Sequence, residues 1–460
     1  MIDSSANATA RNATITQSAA QAAAELYDPA RVFGFLAALG LVLVRFGMLQ
    51  ELVTYVVRVN LLLQYVFGLP ALMGLVLSGG LRRVFRAKTA YWWTAYAFWL
   101  FVAACFSSWR GGSLLLAWGN LRSTFLLFLV MAGLAVTWRE CKWILRMIGC
   151  GTVLMLVISR LFADPRAVDR FSLAFGTVAN ANDVACVLLL LLPFLLWIGM
   201  SSKWTLVAVI PAVGYGVYVI LTTGSRGALL GLLAEVAFFL LFGSLRQRIA
   251  VLTFGVILFG VTLATAPRAA LRRMTTFSQE GGSEAVESLQ ARQALLWTGI
   301  EYTLRHPLFG VGPGEMADIL GQQTRKSSGP GEWQDAHDIF LEASSECGIP
   351  ALIFLLGGFV STWRRLNATH RAARGRADCQ DIRGAVFCVM TGMAGFTVAA
   401  SFLNFAYLFY APAMGALAIA ISAAAGREFE IRGAAGQIPV IAAPAWRARR
   451  RLPGVEPRAS

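Results

Sequence analysis

Long apolar runs broken by short polar linkers recur from residue 32 to residue 424. A hydrocarbon layer roughly 30 Å thick takes about 20 mostly apolar helical residues to cross, and only a helix satisfies its own backbone groups inside it. The pattern therefore predicts an all-α, polytopic membrane bundle of about 12 transmembrane helices. The segments are 32–49, 60–79, 90–107, 114–136, 143–162, 184–200, 204–222, 227–243, 249–266, 339–362, 384–402 and 404–424. Arg45 and Arg58 interrupt the first pair, which leaves room for a short interfacial segment around 51–58. The same reading divides the chain into an N-terminal tail (1–31), nine helices (32–266), a long loop (267–338), three more helices (339–424) and a basic tail (425–460). Residues 1–30 carry no charged n-region followed by an apolar h-region, so the first span is expected to insert uncleaved.

Composition narrows the class further. The chain is 57% hydrophobic and 14% charged, with a mean hydropathy of +0.62, which excludes a string of soluble domains. The formal net charge is +15, and its distribution is asymmetric. Linkers after alternate spans hold Arg82, Arg83, Arg86 and Lys88, then Arg139, Lys142 and Arg146, and after span ten a group from Arg364 to Arg383. The positive-inside rule sets these linkers and both termini in the cytoplasm and the long loop on the outer side of the membrane. Without an aromatic stacking platform the basic tail reads as a solvated, lipid-attracted segment, so no nucleic acid is expected as a partner. Most of the seven cysteines fall in spans or inner linkers, which argues against a disulfide framework.

The outer side holds what the bias does not explain. At about 70 residues the loop from 267 to 338 far exceeds a plain connection, which suggests a folded, working element. In "SLQARQALLWTGIEYTL" Leu289, Arg292, Leu296 and Ile300 recur at helical spacing and predict a helix over the mouth of the bundle. "RHPLFGVGPGEM" then breaks regular structure; it follows no strand and is no nucleotide cradle. Outward-facing cations are Arg170, Arg226 in "TTGSRGALLGL", Arg292, and His337 between Asp335 and Asp338; Arg160 and Arg122 sit slightly deeper in apolar sequence. Each has an ordinary structural reading. Arg226 can snorkel to headgroups, Arg292 can be a solvated helix residue, His337 can bond within a folded loop, and Asp338 can favour a helix N-terminus. Their joint occurrence on the face that should be poor in positive charge points to an anionic ligand.

"TTGSRGALLGL", "ARQALLWTGIEYTLRHPLFGVGPGEM" and "AHDIFLEASSECGIPALIFLL" resemble, in order and spacing, the shared region of the O-antigen ligase and polymerase superfamily. That region has an SRG span, an arginine on a loop helix, an "HPLxGxGxG" turn and a closing "HNxxL...E.G" segment. The resemblance covers about residues 165–360 and departs at Asp338, where the family usually has Asn. It implies transfer of a glycan from undecaprenyl pyrophosphate to a hydroxyl of lipid A core at the periplasmic face, without a cofactor. Length near 460 and a single large late loop resemble the ligase more than the longer protein-glycosylating relatives. Carried over residue by residue, His337 is the base, Arg226, Arg292 and Arg170 hold pyrophosphate, and Asp338, Ser225, Arg160 and Arg122 support them. The chemistry agrees: pyrophosphate is already a good leaving group, so cations to hold its charge and one base for the acceptor hydroxyl suffice. The outer loops carry no carboxylate or His/Cys cluster at metal-ligand spacing. Two other readings stay open, a polymerase of the same superfamily and a carrier or flippase that escorts a polyprenyl-pyrophosphate glycan.

Overall fold

The computed structural model describes residues 27–165, 170–265, 295–319, 321 and 338–435. Among these residues a helix stands at each of the twelve predicted segments. They are α1 (Pro29–Phe46), α3 (Leu63–Leu77), α5 (Lys88–Cys105), α6 (Arg110–Leu134), α7 (Trp138–Leu161), α8 (Ala181–Gly199), α9 (Lys203–Thr222), α10 (Arg226–Phe242), α11 (Leu245–Thr265), α13 (Ile339–Ala372), α14 (Gln380–Ala400) and α15 (Tyr410–Ala435). Eight helices among the described residues are long and apolar enough to cross a membrane. Short helices α2 (Leu49–Val57) and α4 (Gly80–Val84) join the early segments. α2 has no buried residue and occupies the place anticipated for an interfacial segment. A further helix, α12, covers residues 295–305 of the long loop.

Burial sorts the helices into a centre and a rim. Every residue from Val184 to Leu195 of α8 is buried, as expected of a helix apolar all round. α11 buries only Thr262 and lies at the rim, where apolar side chains such as Val256 and Phe259 are exposed. α1 and α3 meet where both lack a side chain: a Cβ on Gly34 would stand 2.7 Å from the Cα of Gly74. Such close backbone approach is how small residues hold helices together in lipid, where no hydrophobic force distinguishes protein from solvent. At the end of the bundle rich in basic linkers, Arg31 is buried and donates to Glu140 Oε1 (2.7 Å) and to the Leu134 carbonyl (3.0 Å). Glu140 completes a capping box with Thr137 at the start of α7.

The α1–α3 contact is directly testable. Gly74→Ala is expected to destabilise by about 1–3 kcal/mol through overpacking, read as a lower thermal midpoint in detergent. Gly255→Ala, where an added Cβ meets nothing within 4 Å, should leave the midpoint unchanged.

Candidate functional site

The loop returns to the bundle through a break in α13. Gly348 has φ 82° and ψ 173°, outside helical space, and Pro350 follows it. Two carbonyls lose their helical donors as a result. Ser345 O would receive the N–H of Ile349, which instead donates to Pro307 O (2.7 Å), and Glu346 O would receive that of residue 350, which as proline has none. Both carbonyls are taken up by the glycine-rich turn: Val311 N donates to Ser345 O (3.0 Å) and Gly312 N to Glu346 O (2.8 Å). Here the glycines are a steric necessity. Gly310 (φ 64°) and Gly348 lie so close to the opposing backbone that a Cβ on either would overlap a peptide group. Phe309 stacks on Phe106 (4.0 Å between centroids) and on Trp99 (5.8 Å), tying the turn to the end of α5.

Buried carboxylates complete the clamp. Glu346, 4% exposed, accepts from Gly314 N (2.7 Å), from Met316 N (3.3 Å) and from the Tyr407 hydroxyl. One turn earlier Glu342 Oε2 accepts from Ala406 N (3.0 Å). These bonds pin the non-helical segment 401–409 against α13, and Tyr96 adds a bond from its hydroxyl to Ala406 O (3.0 Å). Glu315 accepts from Ser108 (3.3 Å) and faces Ser113 (3.4 Å), and burial pushes its carboxyl pKa up. α12 leans on the same place, with the Thr303 and Ser344 hydroxyls 3.0 Å apart and Gly299 against Leu341. Its inward stripe is Leu295, Gly299 and Thr303, while Leu296, expected on that stripe, is exposed.

The arginine half of the mouth is built from "TTGSRG". Gly224 takes φ 62° to turn the chain between α9 and α10. Ser225 is the N-cap of α10, its hydroxyl accepting from Ala228 N (3.3 Å), and Arg226 is the first helical residue, half-buried. A cation there adds to the positive end of the helix dipole instead of offsetting it, so this helix start concentrates positive potential. Arg170 holds the turn in place, donating from Nε to Thr223 O (2.9 Å) and from Nη2 to Asn182 Oδ1 (2.7 Å). Phe402 packs on Gly227, which joins this half to the pinned 401–409 segment.

The remaining predicted residues divide. Asp338 is the N-cap of α13; its Oδ1 accepts from Phe340 N (2.8 Å) and Leu341 N (2.9 Å), and burial raises its pKa against the opposing pull of those bonds. Arg160 and Arg122 are both exposed, and Arg122 lies in a π-helical turn (Leu121–Phe125) within α6. Asn120 and Thr124, which flank Arg122 two residues to either side, bond the Tyr407 carbonyl at 3.0 and 3.4 Å. Arg292, Asp335 and His337 lie outside the described residues. Sequence reasoning passed over Glu342, Glu346 and Tyr407. The signal was two carboxylates four residues apart at the start of an apolar span, where an ionisable residue is a functional candidate by default.

The class is thus a polytopic helical membrane protein with an arginine-bearing mouth clamped by a turn from a long loop. Residues 211–356 match the family model described as O-antigen ligase. That match supports a relation of this region to the O-antigen ligase/polymerase superfamily, whose members are glycosyltransferase-like enzymes of lipopolysaccharide biosynthesis. A search of curated proteins found no match.

The clamp yields its own test. Tyr407→Phe removes one donor from a buried carboxylate and is expected to cost about 1–3 kcal/mol. Hydrogen exchange at Gly314 and Met316 should accelerate, while exchange in the core of α8 stays unchanged. Equal protection at both amides would show that Glu346 does not depend on the tyrosine.

Proposed function

We propose that the protein is an O-antigen ligase, with all twelve helices crossing the inner membrane, both termini cytoplasmic and the mouth open to the periplasm. The donor is an undecaprenyl-pyrophosphate-linked glycan and the acceptor a sugar hydroxyl of lipid A core. Arg226 at the first position of α10, on a turn held by Arg170, is the observation that carries this reading. Arg292 joins them on the pyrophosphate. Arginine suits that task because its planar fork makes paired contacts to phosphate and keeps its charge at any working pH. Arg122 lies about 18 Å along α6 from its start, at 1.5 Å per residue; an exposed arginine so deep is better served by an open mouth than by lipid.

The reaction follows from these roles. His337 takes the proton of the acceptor hydroxyl, and the oxygen forms a bond to the anomeric carbon of the donor glycan. The bond from that carbon to pyrophosphate breaks, and the electron pair leaves on undecaprenyl pyrophosphate against Arg226, Arg292 and Arg170. Asp338 serves by fixing the backbone immediately after His337, through the α13 cap. A carrier would also use a broken helix, yet the carbonyls that the α13 break frees are taken by the turn at 307–312 and are not left for a cargo.

Reconstitution of the purified chain with lipid-linked glycan and lipid A core tests the reading: transfer to core is expected, whereas a polymerase would extend a second lipid-linked glycan and a carrier would form no product. Arg226→Ala should lower transfer about a hundredfold or more, with poor rescue by lysine, the scale of a lost preorganised charge contact. His337→Ala should lower it about a hundredfold to ten-thousandfold and still bind donor. Full activity in Arg226→Ala, or loss of donor binding in His337→Ala as complete as the loss of transfer, would remove the corresponding role.

A further inference from the structure

A cavity of ≈ 580 Å³ opens at the opposite end of the bundle, among the start of α7, the ends of α8, α10 and α13, and the starts of α11 and α14. Its size falls in the range of small-molecule sites. Its lining is rich in cations: Lys142, Arg146 and Arg383, together with His370. The carboxylate that lines it, Asp381, is already engaged by Trp138 Nε1 (2.6 Å), Arg432 (3.4 Å) and Lys142 (3.9 Å). Among the described residues Arg146 and Arg383 pair with no carboxylate, and the buried His370 Nδ1 has no hydrogen-bond partner. Gln247 spends its Oε1 on the Ser244 N–H (2.8 Å) and hydroxyl (3.0 Å), which leaves its amide N–H groups as donors. Two arginines and an amide around one void thus present donors that no carboxylate takes up, with the unpartnered His370 Nδ1 beside them.

The apolar part of the lining says what kind of anion fits. Trp197, Met200 and Phe242 form it, and Met200 and Phe242 are 49% and 59% exposed on the flank of the bundle. In a membrane protein that flank is lipid. A free phosphate would satisfy the cations and leave the apolar lining unused; a phospholipid satisfies both. Basic pockets between transmembrane helices on the side rich in arginine are where anionic headgroups bind, and the arginine fork matches a phosphodiester.

We propose that this cavity binds an anionic phospholipid, its phosphate held by Arg146, Arg383 and His370 and its acyl chains lying along Met200 and Phe242. The site rests on the helical membrane architecture alone and not on the transfer reaction.

The test is native mass spectrometry of the full-length protein in detergent, titrated with phosphatidylglycerol or phosphatidylcholine, with glycerol phosphate and inorganic phosphate as soluble competitors. Wild type should retain phosphatidylglycerol about tenfold or more tightly than phosphatidylcholine. The double variant Arg146→Gln with Arg383→Gln should lose about tenfold or more, the scale of a lost charge-assisted hydrogen bond. Arg139→Gln, an exposed arginine on the same end but outside the cavity, should lose nothing. Phe242→Ala leaves every cation in place and should weaken lipid binding severalfold, which keeps the test valid should the double variant fail to fold. An equal loss in Arg139→Gln would mean diffuse surface charge, and displacement by soluble phosphate at concentrations matching the lipid would mean a free-anion site. Either result overturns the proposal.

Discussion

A carbonyl in an apolar interior cannot be left without a donor, and two such carbonyls at Ser345 and Glu346 organise the mouth of this protein. Gly348 and Pro350 create the deficit, and the turn from Pro307 to Gly312 removes it. Neither element is viable without the other: an unpaired break in α13 would expose polar backbone, and the turn has no regular structure of its own to satisfy its N–H groups. The pairing passes outward through side chains. Glu346 carries it to Tyr407, Glu342 carries it to Ala406, and Phe402 on Gly227 brings the same segment against the start of α10. Arg226 therefore occupies a position set by a chain of contacts that begins at a backbone break more than a hundred residues away in sequence.

The helical positions were legible because membrane thickness imposes a length that apolar composition reports directly. Boundaries were less so, for identifiable reasons. α13 runs on to Ala372, ten residues beyond the expected end at 362, since arginine and threonine continue a helix into the polar layer as readily as they leave it. The last segment was expected from 404 but becomes helical only at Tyr410, because Glu342 and Tyr96 hold the intervening backbone by hydrogen bonds that no local pattern announces. On α12 the inward stripe includes Gly299, a contact made through absence of a side chain, so hydrophobic periodicity pointed one residue aside to Leu296.

The arginine half of the site could be read from "TTGSRG" because glycine, N-cap serine and first-turn arginine each state their own backbone role. The carboxylate half could not. Glu342, Glu346 and Glu315 bond backbone amides and hydroxyls brought from far along the chain, and spacing carries no trace of such partners.

Asp338 shows how a departure from a family pattern can be physically conservative. One carboxylate oxygen accepts from both Phe340 N and Leu341 N, a task that the side-chain oxygen of Asn performs equally well at an N-cap. What differs is charge, and two features of the site limit its reach. Burial raises the Asp338 pKa, and the helix N-terminus with its two N–H bonds opposes it by stabilising the ionised form locally. The carboxylate is thereby engaged by the first turn of α13. Asp and Asn both leave the backbone entering α13 in the same capped geometry, so the departure changes the charge at this N-cap and not its hydrogen bonding.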